Sequence, residues 1–332
     1  MIIHLPKNIS YAYVQELADH VGALCLEKAD HFVLITNHTM KQLPAELESM
    51  ALAHWTFNTD MQLSSREYHP DTHRIAIGDT YIGGDGNNQL MIAGPCAIES
   101  REQIEQSCQM LKQHGIRVLR AGCYKPRTSP YTFRGLGEDG LKLLAEMREK
   151  YGLLIATEMR DATHADKVVE YADIVQIGAK AMYDHGLLTA AGQSGKPVIL
   201  KRGFGSTLQE LVNCADFIMS CGNDQVILCE RGIRSFETNT RFTLDLCGVA
   251  WLKQHCNLPI ILDPSHAMGY AYGIGDLARA CTAMGIDGLL IETHPCPQCA
   301  QSDAPQQLNH QQFGEMYTSL KPIAHAVGKT LV

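Results

Sequence analysis

LMIAGP at residues 90–95 is a short, mostly apolar run that precedes a stretch of helical character. Seven similar runs follow it: 118–123 (VLRAGC), 153–157 (LLIAT), 174–178 (IVQIG), 197–200 (PVIL), 226–229 (VILC), 259–262 (PIIL) and 288–291 (GLLI). Continuous apolar strands that alternate with helices are typical of a parallel sheet buried on both faces. An open doubly wound sheet fits this alternation but usually has fewer strands. Because eight strands over roughly 240 residues match a (β/α)₈ barrel, we predict an α/β protein whose residues 89–332 form a TIM barrel.

Residues 1–62 show a different pattern, with strands predicted at 2–5, 23–27, 31–36 and 54–58. Helices are predicted at 10–21 and 44–52, with Ser10 as the N-cap of the first. The resulting order, βαββαβ, is that of a ferredoxin-like domain. Residues 63–88 are rich in Ser, His, Asp and Gly, and we interpret them as a linker or irregular extension.

Composition excludes several classes of protein. The 332 residues are 45% hydrophobic and carry a net charge of −8, which argues against a general binder of nucleic acid or of membrane surfaces. The apolar runs are far shorter than the ~20 residues of a membrane helix. The first ten residues, MIIHLPKNIS, lack the basic and apolar segments of a signal peptide, so we expect a cytoplasmic protein. Most of its twelve cysteines should then be thiols.

Residues capable of chemistry follow every predicted barrel strand. In strand order they are Cys96, Lys125, Glu158, Lys180, Lys201 with Arg202, Glu230 with Arg231, Asp263 with His266, and Glu292 with His294. One such residue alone is most simply a surface charge. Because such residues follow all eight predicted strands, the sequence predicts an active site at the carboxyl ends of the strands, where barrel enzymes place it.

Many of these residues are cations. The candidates for one cationic mouth are Arg120, Lys125, Arg127, Lys180, Lys201, Arg202, Arg231 and Arg234. In a chain of negative net charge, such a concentration of positive charge predicts anionic ligands, and its density suggests two phosphorylated or carboxylated substrates.

A second group combines a thiol, an imidazole and two carboxylates: Cys96, His266, Glu292 and Asp303. This mixture suits Mn, Fe, Co or Zn better than Mg or Ca, which prefer oxygen ligands alone. Singly, each residue also fits a structural role, such as a buried thiol or one half of an ion pair. Only the predicted barrel brings the four together.

Several blocks of the sequence resemble those of the 3-deoxy-D-arabino-heptulosonate 7-phosphate (DAHP) synthases, specifically the type I-beta branch, which includes forms with an N-terminal ferredoxin-like domain. The blocks are 65–70 (SREYHP), 94–99 (GPCAIE), 125–131 (KPRTSPY), 177–179 (IGA), 200–203 (LKRG), 229–232 (CERG), 263–267 (DPSHA) and 292–295 (ETHP). The resemblance covers nearly the whole chain. Two positions depart from the family pattern: Lys180 stands where the family usually has Arg, and Ala304 where it usually has Gly.

The resemblance implies a reaction and roles for individual residues. Family members condense phosphoenolpyruvate with erythrose 4-phosphate and release phosphate, in the first step of the shikimate pathway to aromatic amino acids. They require a divalent metal, for which the implied ligands are Cys96, His266, Glu292 and Asp303. The implied phosphoenolpyruvate residues are Arg120, Lys125, Lys180, Lys201 and Arg231, and the implied aldose phosphate residues are Arg127, Thr128 and Ser129. Lys125 is the candidate for proton transfer, Glu158 for orienting water, and His266 for a catalytic role at the metal.

Two other functions compete with this one. The related 3-deoxy-D-manno-octulosonate 8-phosphate synthases share the barrel and the phosphoenolpyruvate site but resemble this chain less at residues 125–129. A catalytically weakened barrel that acts as a sensor is the alternative from another class, suggested by Lys180 and Ala304. All four implied metal ligands are present, which counts against it.

The resemblance also implies partners beyond the substrates. The ferredoxin-like domain is used in related synthases for feedback control, so an aromatic amino acid is a candidate effector. Such a domain can sit over the barrel mouth. The family resemblance further implies a homo-oligomer, either a tetramer or a dimer.

Cys296 and Cys299 form a Cys-x-x-Cys pair between two of the implied metal ligands. A lone pair of this kind is weak evidence for zinc, and a redox role stays open. We expect two loop thiols here.

Overall fold

The computed structural model describes residues 1–125, 129 and 131–332. Eight parallel strands form the centre of the fold: β7 (Asn88–Gly94), β8 (Val118–Arg120), β9 (Leu154–Met159), β10 (Ile174–Ile177), β11 (Val198–Lys201), β12 (Val226–Glu230), β13 (Ile260–Leu262) and β14 (Gly288–Glu292). Each strand pairs with the next, and β14 pairs with β7 in the register Glu292 to Gly94, which closes the barrel. The predicted TIM barrel is confirmed, and each predicted apolar run overlaps one of its strands.

Helices surround the barrel: α3 (Arg101–Gln113), α4 (Glu138–Tyr151), α5 (Ala165–Tyr171), α6 (His185–Gln193), α7 (Leu208–Ser220), α8 (Leu246–His255), α9 (Pro264–Met268), α10 (Ile274–Ala283) and α11 (His310–Ala326). Their apolar faces and the outward side chains of the strands form one buried layer. A short strand, β15 (Thr330–Leu331), adds to the first residues of β7. In the described part of the chain, no helix is both long enough and apolar enough to span a bilayer.

A second apolar cluster fills the inside of the barrel. Its barrel members come from the inward face of the strands, and they pack against Ile75, Ile77 and Ile82. Those three residues belong to a hairpin of β5 (Arg74–Ile77) and β6 (Thr80–Gly83). The segment predicted as linker or irregular extension therefore contains a regular element, and its side chains complete the barrel interior.

The small N-terminal domain has the elements β1 (Ile2–Pro6), α1 (Tyr11–Val21), β2 (Leu24–Glu27), β3 (His31–Ile35), α2 (Ala45–Glu48) and β4 (Ala53–Trp55). Its antiparallel sheet has the order β2-β3-β1-β4, which confirms the ferredoxin-like arrangement. Ser10 caps α1 by accepting from the Tyr13 amide. The predicted second helix, 44–52, is too long, because the chain has already returned to the sheet at Leu52, whose amide donates to His4.

The small domain lies against the outside of the barrel near α7. Lys28 pairs with Asp224 at 2.5 Å, just beyond the end of that helix. On α7 itself, the half-buried carboxylate of Asp216 accepts hydrogen bonds from the amides of Gln62, Leu63 and Ser64 at 2.7, 3.1 and 2.8 Å. The Lys28 pair joins the small domain to the barrel, and the Asp216 contacts fix the segment that follows the domain.

The first prediction concerns the hairpin inside the barrel. Ile82 is fully buried, so Ile82→Ala leaves a cavity and should lower the free energy of unfolding by about 2–5 kcal/mol. Urea denaturation followed by circular dichroism measures this. The control is Ala76→Ser, at an exposed position of the same hairpin, which should change stability by less than ~0.5 kcal/mol. Equal effects of the two variants would contradict a structural role for the hairpin.

Candidate active site at the barrel mouth

A cavity of about 380 Å³ opens at the carboxyl ends of the barrel strands. Its cationic lining comes from several different strands and loops: Arg120, Lys125, Lys180, Lys201, Arg231, Arg234 and Arg241. Glu158, Gln176, His266, Ser302 and Asp303 also line it. A Cβ on Gly178 would lie 2.0 Å from Oε1 of Glu158, so glycine leaves the space that this carboxylate occupies.

Three of the four predicted metal ligands form a compact cluster at the floor of this cavity. One ligand atom each from Cys96, Glu292 and Asp303 lies within 4.8 Å of the other two. The fourth, His266, places Nε2 at 3.6 Å from Oε1 of Glu292 and 3.9 Å from Oδ2 of Asp303. A thiol and two carboxylates in one cluster, with an imidazole close to both carboxylates, fit a transition metal ion or zinc.

Neighbouring side chains hold these four residues in place. Asp263 caps α9 by accepting from the His266 amide, and its Oδ2 lies 2.7 Å from Nδ1 of His266. Oε2 of Glu292 accepts from Gln306 at 2.5 Å, and the amide of Cys96 donates to Gln307 at 3.1 Å. Such outer contacts fix the orientation of metal ligands and tune their affinity.

Asp303 adopts a left-handed backbone conformation, with φ at 49°, and it is the one non-glycine residue with positive φ in the described part of the chain. Aspartate tolerates this region better than most residues. Ala304, where the family usually has Gly, instead begins the 3₁₀ turn Ala304–Gln306. Alanine therefore suits the backbone at that position.

Burial and charge set the protonation of the cluster. Burial and the neighbouring Glu292 raise the pKa of the Cys96 thiol to about 12. Burial also acts to raise the pKa of Asp303, but His266 and Arg241 outweigh it, and this pKa lies below its usual value. The cluster thus contains an ionised carboxylate and a thiol that loses its proton when a metal binds.

Several cations at the mouth are paired with buried carboxylates. Arg120 donates to Oε1 of Glu292 at 2.7 Å, and Lys201 donates to Asp263 at 2.6 Å. Arg202, expected among the cations of the mouth, is instead bound to Glu230 at 2.9 Å and Asp245 at 2.8 Å. It does not line the cavity, because both carboxylates and the Ser206 carbonyl engage its guanidinium group.

Some cationic groups of the mouth, including one that is paired, also have N–H donors without a partner among the described residues. Nε of Arg120 and both Nε and Nη1 of Arg231 are buried without a hydrogen-bond partner among the described residues. Lys125 donates to the Cys96 carbonyl at 2.8 Å. Buried donors without partners are rare in native proteins, so those that line a cavity fit an anionic ligand.

Most of the predicted site residues meet at this cavity. Arg120, Lys125, Glu158, Lys180, Lys201, Arg231, His266 and Asp303 line it, and Cys96 and Glu292 lie in the cluster beneath. Ser129 accepts from the Tyr131 amide and is not among the lining residues. Arg127 and Thr128 lie outside the described residues.

Sequence reasoning missed two groups in this site. Arg241 bonds Gln306 at 2.5 Å and Asp303 at 3.4 Å, and so connects the long loop after β12 with the cluster. The arginines at 231, 234 and 241 were a signal that this loop reaches the cavity. Gln306 carried no such signal, because an isolated amide on a loop is unremarkable.

The structure corrects the expectation for Cys296 and Cys299, which form a disulfide and are not free thiols. Cys296 precedes the 3₁₀ turn Pro297–Cys299 and Cys299 is its last residue; their Cα atoms are 5.4 Å apart, a separation that permits a disulfide. The other ten cysteines are free.

Comparison with known proteins identifies relatives of the whole chain. The model of the DAHP synthetase I family matches residues 61–327. A phospho-2-dehydro-3-deoxyheptonate aldolase of Thermotoga maritima is 45% identical over 267 residues, which cover 80% of this chain and 78% of that protein. A 2-dehydro-3-deoxyphosphooctonate aldolase of Thiobacillus denitrificans is 32% identical over 252 residues, covering 70% of this chain and 89% of the other.

A solved structure agrees with the sequence relatives. The crystal structure of the Thermotoga maritima DAHP synthase superposes with a TM-score of 0.81 at 38% identity, covering 100% of this chain and 99% of that one. A truncated form of the same synthase has a TM-score of 0.76 at 41% identity and covers 81% of this chain and 98% of its own. The chain belongs to the DAHP synthetase I family.

Proposed function

We propose that this protein condenses phosphoenolpyruvate with erythrose 4-phosphate to give 3-deoxy-D-arabino-heptulosonate 7-phosphate and phosphate, the first step of the shikimate pathway. The observation that carries the proposal is the juxtaposition, in one cavity, of a metal-ligand cluster and buried cationic donors without partners. An aldehyde and two phosphorylated groups are the reactants that this combination suits. The relative at 45% identity bears the name of the corresponding aldolase.

Cys96, His266, Glu292 and Asp303 would hold the divalent metal, and their donor set supports Mn, Fe, Co or Zn. When bound, the metal supplies a Lewis acid that polarises the aldehyde oxygen of erythrose 4-phosphate. Oε1 of Glu292 is already engaged by Arg120, so this carboxylate is held in one orientation before substrate arrives.

Phosphoenolpyruvate would bind to Arg120, Lys125, Lys180, Lys201 and Arg231. The free N–H groups of Arg120 and Arg231 support this assignment. Lys180 is exposed at the rim and keeps the positive charge of the usual arginine, although it cannot offer two parallel donors. These cations hold phosphate and carboxylate in line with the aldehyde and stabilise developing charge.

Lys125 and Glu158 would handle protons and water. Burial disfavours the charged form of Lys125, but the nearby Cys96 and Glu158 outweigh it, and the pKa of Lys125 is raised. Lys125 therefore stays protonated: it carries the proton for the proposed transfer, and as a weaker acid it also keeps a positive charge beside the substrates. Glu158 lines the cavity beside Gly178, a position from which it would orient the attacking water.

The aldose phosphate would bind to Arg127, Thr128 and Ser129. The support is the resemblance of residues 125–131 to the family block; of these residues, the structure describes Lys125, Ser129 and Tyr131. Its hydroxyl lies in a local turn with Tyr131.

The second prediction tests the substrate. Purified protein with metal and phosphoenolpyruvate should release phosphate with erythrose 4-phosphate much faster than with arabinose 5-phosphate, because the chain is 45% identical to a heptonate aldolase and 32% identical to an octonate aldolase. A phosphate-release assay with each aldose measures this. Faster turnover of arabinose 5-phosphate would support the octulosonate synthase, and no turnover of either would support the sensor.

The third prediction tests the metal site. Cys96→Ala removes the only sulfur ligand, so metal affinity should fall by more than ~100-fold, since loss of an outer contact alone costs ~10–100-fold. Metal content by mass spectrometry and the rate at saturating substrate measure this. Cys108→Ala is the matched control, because Cys108 is an equally buried free thiol on α3. Near wild-type metal content and turnover in Cys96→Ala would reject the site.

We also propose that the N-terminal domain is regulatory and that the protein is a homo-oligomer, a dimer or a tetramer. Among the described residues, Lys28 of the domain pairs with Asp224 at the side of the barrel, just beyond α7. An effector would therefore act by binding one arrangement of domain and barrel better than another, and would shift their populations by that difference.

The fourth prediction follows from this regulatory proposal. Phenylalanine, tyrosine or tryptophan should inhibit the intact enzyme, and sedimentation velocity with and without the inhibitor should show an oligomer in both conditions. Titration of each amino acid in the phosphate-release assay provides the measurement. Full activity at millimolar concentrations of all three would exclude feedback by aromatic amino acids.

A further inference from the structure

Two arginines at the mouth lack the carboxylate partners that the others have. Arg120, Lys201 and Arg202 each bind a buried carboxylate at 2.6–2.9 Å. Within the described residues, no ion pair involves Arg231 or Arg234. Arg231 is nonetheless only 5% exposed: burial lowers the pKa of its guanidinium group, and Asp263 opposes this effect without forming an ion pair with it.

Aromatic rings take the place of the carboxylates. Cζ of Arg231 lies 4.5 Å from the ring centre of Phe242, and Cζ of Arg234 lies 4.6 Å from that of Phe204. Arg241 is also near Phe242, at 5.9 Å. The two rings stack on each other, with centres 5.5 Å apart and an angle of 22° between their planes.

The backbone fixes this stack between two loops. Phe204 follows β11 and Phe242 lies on the long loop after β12. The Arg234 amide donates to the Phe204 carbonyl at 2.7 Å, and the Phe242 amide donates to Ala267 at 2.9 Å. Main-chain hydrogen bonds at Phe204 and Phe242 therefore fix the backbone from which each ring projects.

A ring face supports a guanidinium group differently from a carboxylate. It attracts the cation through its quadrupole and leaves the edge N–H groups free. A carboxylate would neutralise the charge and occupy the donors. The two unpartnered nitrogens of Arg231 are consistent with this difference.

We propose that Phe204 and Phe242 are positioning residues that hold the guanidinium groups of Arg231 and Arg234 in place and leave their N–H donors free for the phosphate group of phosphoenolpyruvate. This inference rests on the proposed function for the identity of the substrate. Support of a phosphate-binding pair of arginines by stacked rings does not depend on turnover. The stack therefore affects binding of phosphoenolpyruvate more than the chemical step.

The experiment compares Phe242→Leu with Phe242→Tyr, since leucine keeps apolar bulk without a ring face and tyrosine keeps the face. Phe242→Leu should raise the KM for phosphoenolpyruvate and the Kd for inorganic phosphate by about three- to tenfold. Its kcat and its KM for erythrose 4-phosphate should stay within about twofold of wild type. Phe242→Tyr should restore both phosphate-dependent constants. Phe236→Leu is the matched control, on the same loop but 99% exposed, and should match the wild type.

Calorimetry with inorganic phosphate separates this inference from the proposed function. If the wild type binds phosphate but does not condense the substrates, the function fails and the stack is still judged on the phosphate Kd. Equal losses in Phe242→Leu and Phe242→Tyr, no loss in either, or no phosphate binding by the wild type would overturn the inference. If melting shows that Phe242→Leu is unfolded, the partly exposed Phe204→Leu provides the same readout.

Discussion

The buried ion pair between Arg120 and Glu292 connects the two halves of the candidate site. Arg120 ends one barrel strand and Glu292 ends another, and the pair is almost completely shielded from water. Removing one partner of such a pair leaves an uncompensated buried charge, which lowers the free energy of unfolding by about 3–5 kcal/mol. Glu292 also lies near His266 and accepts from Gln306, so the metal cluster and the cationic cavity are organised around the same carboxylate. Distances within the site therefore depend on closure of the barrel, which sets β14 beside β7.

Local charge and net charge have opposite signs in this molecule. The chain carries −8 overall, but seven cationic side chains line one cavity of about 380 Å³. Buried carboxylates such as Asp263 and Glu292 lie directly beneath them and make this concentration of charge tolerable. An anionic substrate thus meets a positive region whose geometry is already fixed, which reduces reorganisation on binding.

The sequence was sufficient for the barrel because all eight strands are buried on both faces and read as apolar runs. The predicted strand ends also identified most of the residues that line the cavity, since residues at the carboxyl ends of parallel strands converge at one edge of the barrel. Arg241 and Gln306 were missed because they lie on long loops, whose paths depend on tertiary contacts. The hairpin was missed because its apolar residues, Ile75, Ile77 and Ile82, are scattered in a polar segment and are buried only through the barrel.

The Asp216 contact fixes the point at which the chain from the small domain reaches the barrel. The sheet of the small domain ends at Trp55, and Asp216 binds the main chain from Gln62 onward. Only residues 56–61 lie between them. Seven residue steps span at most about 25 Å when fully extended. The chain is therefore a short tether, which limits any displacement of the small domain to that radius around the clamped segment.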